Sequence, residues 1–160
     1  MDKGSFRNEQ LVAAILNYQF GRRIGDRILK DYAINVEVSK NTGRIRRIYV
    51  DKIYFGTVDA TTGFIILSYK GAEIVKKYLP FPEYRVVIAD EAVPFVERGK
   101  SVFNKFVLEV DENILPKDVV LVVDQNDNLI ATGIAVLSAL EMKQFSVGVA
   151  VKVKDARVLY

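Results

Sequence analysis

The chain has 160 residues, 50% hydrophobic and 27% charged, a globular composition that excludes a disordered or fibrous protein. Cysteine and histidine are both absent. That excludes disulfides, thiolate nucleophiles, Ser-His-Asp and Cys-His pairs and Cys-ligated metals, leaves only oxygen ligands for any metal, and sets the expectation of no cofactor and no metal.

The net charge of +3 is unevenly spread: fourteen Lys and Arg stand against eight Asp and Glu up to Leu79, and nine against twelve beyond it. A basic first half is expected to meet an anionic partner first, although scattered lysines and arginines also serve simply to solvate a surface. The length suits one domain or two small ones. The apolar run Leu11–Leu16 is too short for a signal core or a membrane span, so no membrane association and a cytoplasmic location are expected.

Taken in order, Ser5 is placed to cap a helix from about Arg7 to Phe20, with Leu11, Val12, Ile15, Leu16 and Gln19 at helical spacing and Gly21 as its stop. Arg22, Arg23 and Arg27 follow on a short helical segment around Ile24–Leu29. From Ile34 the period becomes two, predicting a strand to Val38. Asn41-Thr42-Gly43 is then a turn whose Gly and Asn supply positive φ. The returning strand Arg44–Val50 puts Arg44 and Arg46 on one face and Arg47 with Ile45 and Tyr49 on the other. Asp51-Lys52 turns into a third strand, Ile53–Asp59, and Thr61-Thr62-Gly63 into a fourth, Phe64–Leu67, making an antiparallel meander. A helix from Tyr69 to Leu79 buries Ala72, Val75 and Leu79 and ends at Pro80-Phe81-Pro82, where a domain boundary is expected.

Beyond the boundary, Arg85–Ala89 reads as a strand, Asp90 as the cap of a short helix through Val96, and Ser101–Val110 as one long strand. The Val/Leu run Val119–Val123 implies a strand buried on both faces. Gln125–Asn128 is a hairpin loop, Leu129–Leu137 and Val147–Val153 are strands, and Ser138-Ala139-Leu140-Glu141 has capping-box spacing for a helix from Ala139 to Phe145. Strands this short and dense fit a small, nearly closed barrel. The chain shows no internal repeat and no low-complexity tract. Gly99 permits the backbone to reverse beside Arg98, Lys100 and Lys105, which suits either a phosphate-holding turn or an ordinary helix cap.

The blocks Glu91–Phe103, Leu115–Val122, Ala131-Thr132-Gly133, Leu137–Met142 and Gly148–Val153 together resemble a PUA domain over residues 84–160. Tyr18-Gln19-Phe20-Gly21, Ser39–Arg46 and Gly71-Ala72 before Leu79-Pro80 resemble the domain that precedes PUA in archaeosine tRNA-guanine transglycosylase. The resemblance implies an α+β chain: a cystatin-like α+β pre-PUA domain over residues 1–80, then a PUA β-pseudobarrel over 84–160. The catalytic barrel of that enzyme and its zinc ligands have no counterpart here. In PUA domains RNA lies against the first helix, its glycine loop, the next strand and the last strand, which implies Arg98, Gly99, Lys100, Ser101, Phe103, Lys105, Lys152 and Lys154 as contacts. Phe103 either stacks on a base or packs, packing being the commoner fate of a lone strand aromatic; Val102, Phe106 and Val107 are expected in the core.

In the first half Arg44, Arg46 and Arg47 form the densest positive charge, with Lys40 and the pair Arg22, Arg23 as candidates for the same face. Solvation of a strand face explains them equally well. Arginines this close repel one another unless an anion is near, which favours phosphate contacts. The expected function is an RNA-binding accessory protein without catalysis of its own. It would hold tRNA near the acceptor end for a modification enzyme that a separate catalytic subunit supplies. The alternative is a protein-interaction subunit docking on such an enzyme. A carboxylate enzyme using Asp59 or Asp124 is the weakest alternative, since no paired spacing supports it.

Overall fold

Helix α1, Lys3–Phe20, opens the computed structural model, which describes residues 3–159 and the side chains from residue 7 onward. Ser5 therefore lies inside the helix rather than before it, and its predicted capping side chain lies outside the described residues. Val12, Leu16 and Gln19 are buried as the spacing predicts, but Leu11 is 51% exposed, lining an open groove that faces two hairpin turns. Gly21 stops the helix at φ +74°, its N–H returning to the Asn17 carbonyl at 2.9 Å. Helix α2, Ile24–Asp31, then crosses α1 so closely that a Cβ on Gly25 would lie 1.9 Å from the Ala13 carbonyl oxygen. The Asn17 carboxamide oxygen accepts the Gly25 and Asp26 amides and fixes that corner.

Four strands come next: β1 (Ile34–Val38), β2 (Ile45–Val50), β3 (Ile53–Val58) and β4 (Ile65–Leu67). They pair antiparallel in chain order, the predicted meander. Gly43 and Gly63 carry positive φ at its turns, as do Asp51 and Lys52, whereas Asn41 does not. Helix α3, Tyr69–Lys76, is capped by Ser68, whose hydroxyl oxygen accepts the Gly71 N–H at 2.9 Å; it ends three residues short of the predicted Leu79. Leu16, Ile34, Ile48, Val50, Phe55, Ile65 and Val75 are fully buried. Gln19 reaches from α1 to the backbone of β4, donating to the Ile65 carbonyl and accepting its N–H, each at 2.8 Å, which is why a polar residue sits in an apolar stripe.

Residues through Tyr78 form one compact unit and those from Leu79 a second. The second holds a six-stranded mixed sheet in the order β6-β10-β9-β8-β5-β7. Its strands are β5 (Arg85–Ile88), β6 (Val102–Phe103), β7 (Val107–Val110), β8 (Val119–Val123), β9 (Leu129–Ala135) and β10 (Val149–Ala156). All of β8 is buried, between β5, to which it is parallel, and the antiparallel β9.

The predicted single strand Ser101–Val110 is broken by a 3-10 turn, Asn104–Phe106, because its two halves serve opposite edges of the sheet: β6 pairs with β10 and β7 with β5. Three residues span only about 10 Å, while the edges of a flat six-stranded sheet lie about 24 Å apart. The sheet must therefore curl until its edges meet, which is the pseudobarrel. Asn104 is buried at this corner and donates its backbone N–H to the Gly148 carbonyl. Asp90 is not a cap: it begins a 3-10 turn, Asp90–Ala92, that runs into helix α4, Val93–Val96, and no side chain caps that turn. Helix α5, Ala139–Gln144, carries the predicted capping box: the Ser138 hydroxyl oxygen accepts the Glu141 N–H, and the Glu141 carboxylate accepts the Ser138 N–H. Among the described residues no helix is long and apolar enough to cross a membrane.

Candidate nucleic-acid interface

In the first unit the cations gather where β1 turns into β2. Arg44 belongs to the turn rather than to the strand; its carbonyl accepts the Ser39 N–H and its own N–H donates to Thr42 Oγ1. Lys40 is exposed in the same turn. Along β2 the predicted alternation fails at one point. Glu37 faces Arg47 and Val38 faces Ile45, so Arg46 is an extra residue, a β-bulge. The bulge shifts the parity of the strand beyond it: Ile45 and Ile48 are both buried, and Arg46 and Arg47 are both exposed. Arg47 therefore does not share the buried face with Ile45; it lies with Tyr49 on the face away from the helices. Arg44, Arg46 and Arg47 make no ion pair among the described residues, so their charge is available to a ligand.

Arg22 and Arg23 lie beyond the C-terminal end of α1, both in the left-handed region at φ +54° and +52°. The Arg23 guanidinium is bound to Asp26 at 2.8 Å, and the hydrogen bonds from Asn17 and Arg23 hold the Asp26 carboxyl below its usual range. Arg22 and Arg23 thus belong to the connection between α1 and α2, and Arg44 to the turn between β1 and β2.

In the second unit the turn after α4 is a Schellman cap: Gly99, at φ +95°, donates its N–H to the Val96 carbonyl and Lys100 donates to Phe95. The Arg98 N–H also returns to Phe95. The backbone amides are thus spent on the helix end, and the turn offers outward only side chains, those of Arg98 and Lys100, both exposed. Ser101 is half-buried, Val102 is buried, and Phe103 is 51% exposed on the edge strand β6, opposite Val149 of β10. Lys105 is exposed with its ammonium 5.0 Å from the Phe106 ring centre, and Phe106 and Val107 pack against the core. Lys152 and Lys154 are exposed on β10, Lys154 being the extra residue where β10 bulges against β9. Arg157, which no sequence pattern singled out, ties the two regions together: it pairs with Glu97, and the Val158 N–H donates to the Glu97 carbonyl. The glycine turn, β6 and the end of β10 therefore adjoin.

The carboxylates that could have served as acid and base are turn braces. Asp59 accepts the Thr62 amide and hydroxyl. Asp124 accepts the amides of Asn126 and Asn128 and the Asn128 side chain. Arg85, 2% exposed, is bound to Asp127 and the Glu83 carbonyl, a structural role. Among the described residues no cluster of acidic side chains could hold a metal ion.

Residues 84–156 match the PUA domain, and residues 10–82 match the patch-forming domain C2 of tRNA-guanine transglycosylase. The chain carries a C2 match followed by a PUA match, and its two units take their names from these. Over 88% of its length it is 42% identical to a tRNA-guanine(15) transglycosylase of Methanosphaera stadtmanae, and over 96% it is 42% identical to that of Thermococcus kodakarensis. It spans only 21% and 26% of those two proteins. Among solved structures, a hypothetical protein of Pyrococcus horikoshii OT3 superposes with a TM-score of 0.74 at 25% identity, covering 95% of this chain and 91% of that one. A conserved PUA domain protein of Thermoplasma acidophilum shares the fold, with a TM-score of 0.61 at 16% identity over 94% and 89% of the two chains.

Proposed function

We propose that this C2–PUA chain is an RNA-binding accessory protein of the cytoplasm that holds a tRNA for a modification enzyme supplied by a separate catalytic subunit, and that it does no chemistry itself. The observation that carries this reading is the match of both halves, in order, to proteins named for acting on tRNA. The exposed cations of the two units support it, since arginine and lysine on strands and turns neutralise phosphates and grip a folded RNA by shape. Arg44, Arg46 and Arg47 are the contacts on the C2 side, with Lys40 in the turn that carries Arg44, and Arg22 and Arg23 in the connection between α1 and α2. Arg98, Lys100, Ser101, Phe103, Lys105, Lys152 and Lys154 are those on the PUA side, and Gly99 shapes their turn.

Mobility-shift titration of a tRNA transcript tests it. Lys152→Ala/Lys154→Ala is expected to weaken binding and to lower the salt slope by about 0.7–0.9 for each phosphate that is no longer neutralised. Failure of the unaltered protein to bind tRNA at physiological salt overturns the reading. A second reading, docking on a catalytic protein, draws on the acidic excess of the second half, which offers a surface to a protein partner. Pull-down after nuclease treatment separates the two: partners that vanish point to RNA, partners that survive to docking.

A further inference from the structure

Between the first half of α1 and the turns joining β1 to β2 and β3 to β4 lies a groove of about 760 Å³. Leu11 and Ile15 of α1, Ile45 of β2 and Val58 of β3 give it an aliphatic lining, from the buried Ile45 to the half-exposed Leu11, and Asn8 and the exposed Arg44 and Arg46 line it too. Its size falls within the range of small-ligand sites, roughly 300–1,000 Å³. Leu11 is the residue whose exposure the helical pattern does not explain; a half-exposed leucine beside other apolar side chains marks a surface that gains from being covered.

The lining specifies what covers it. Arg44 and Arg46 make no ion pair among the described residues, and the carboxylate in the lining, Asp59, is engaged by Thr62. Asn8 makes no side-chain hydrogen bond among the described residues, so its carboxamide offers both a donor and an acceptor in the lining. An aliphatic lining, one free carboxamide and two unpaired guanidiniums complement a ligand with a flat apolar face, hydrogen-bonding edges and more than one negative charge. A nucleotide within an RNA strand has all three.

We propose that this groove receives one unpaired nucleotide of the bound RNA, its base on Leu11 and Ile15, its edge at Asn8 and its flanking phosphates on Arg44 and Arg46. The proposal rests on the RNA-binding reading and adds to it a base-dependent contact, distinct from phosphate attraction. A charged peptide helix would match the same lining, and the experiment distinguishes it.

The test uses the 160-residue protein and two probes, a pentaadenylate and the same pentamer with an abasic central nucleotide. Unaltered protein is expected to bind the pentaadenylate about fivefold more tightly, the gain from removing roughly 40 Å² of apolar surface from water. Leu11→Lys, at a half-exposed position, is expected to abolish that preference even though its added charge strengthens any purely phosphate-driven complex. Should Leu11→Lys fail to fold by circular dichroism, Asn8→Ala must reduce the preference in its place. Equal binding of both probes by the unaltered protein overturns the proposal, and so does a preference that survives in the folded variant. If tRNA binds while the probes are not distinguished, only the groove assignment falls. If no RNA binds, the RNA reading falls and takes the groove with it. Loss of a protein partner in Leu11→Lys with probe preference intact assigns the groove to a peptide instead.

Discussion

Gly99 and Gly25 are glycines for different reasons, and substitution separates them. At φ +95° Gly99 occupies a region that L side chains adopt with strain, and a Cβ there would meet Leu159 Cδ1 at 3.2 Å, a flexible neighbour. Gly99→Ala should therefore destabilise the PUA unit by only about 1–2 kcal/mol, read by urea denaturation. Gly25 has ordinary helical geometry, but its Cβ would collide with the Ala13 carbonyl, which is rigid backbone. Gly25→Ala gains helix propensity worth about 1 kcal/mol and still should lower the melting temperature of the C2 unit more than Gly99→Ala lowers that of the PUA unit, because two helices must part. The reversal at Gly99 was legible in the sequence. That its amides are consumed by Phe95 and Val96 was not, since a glycine turn reads alike whether its N–H groups face a helix end or a ligand.

Among the elements, those written in local chemistry were legible. The Ser138–Glu141 capping box, the wholly apolar β8 and the four-strand meander with its Gly43 and Gly63 turns all stand where the pattern put them. The failures depend on partners distant in sequence: the break at Asn104–Phe106, forced by two different neighbouring strands, and the bulge at Arg46, which exposes Arg47. Ser138→Ala should cost about 1 kcal/mol by removing the cap of α5, seen as a lower thermal midpoint. The Asp124 loop predicts a pH dependence. Burial pushes its carboxyl up, but the hydrogen bonds from Asn128 and Asn126 outweigh this and leave its pKa below the ordinary value. A carboxyl whose pKa falls on folding adds stability above its unfolded pKa, near 4, and loses it as pH drops through the folded value. Asp124→Asn should therefore lower stability at neutral pH and flatten its decline below about pH 4, measured by urea titrations across that range.

At the scale of the whole molecule, the proposal is that exposed cations of each unit meet RNA phosphates, with the C2 cluster supplying much of the attraction. The charge asymmetry of the sequence pointed to the first half, and the bulge in β2 strengthens that reading by exposing Arg46 and Arg47 together. Arg22 and Arg23 sit in the connection between α1 and α2, and Arg23 is already paired to Asp26, which no sequence pattern showed. Their replacement by alanine should accordingly change tRNA affinity less than replacement of the β2 arginines. The most direct measurement is the salt dependence of tRNA binding by Arg44→Ala/Arg46→Ala/Arg47→Ala beside the unaltered protein. Weaker binding and a log–log slope reduced by about two to three units are predicted, roughly 0.7–0.9 for each phosphate released from an arginine. An unchanged affinity and slope in a folded variant would contradict the account.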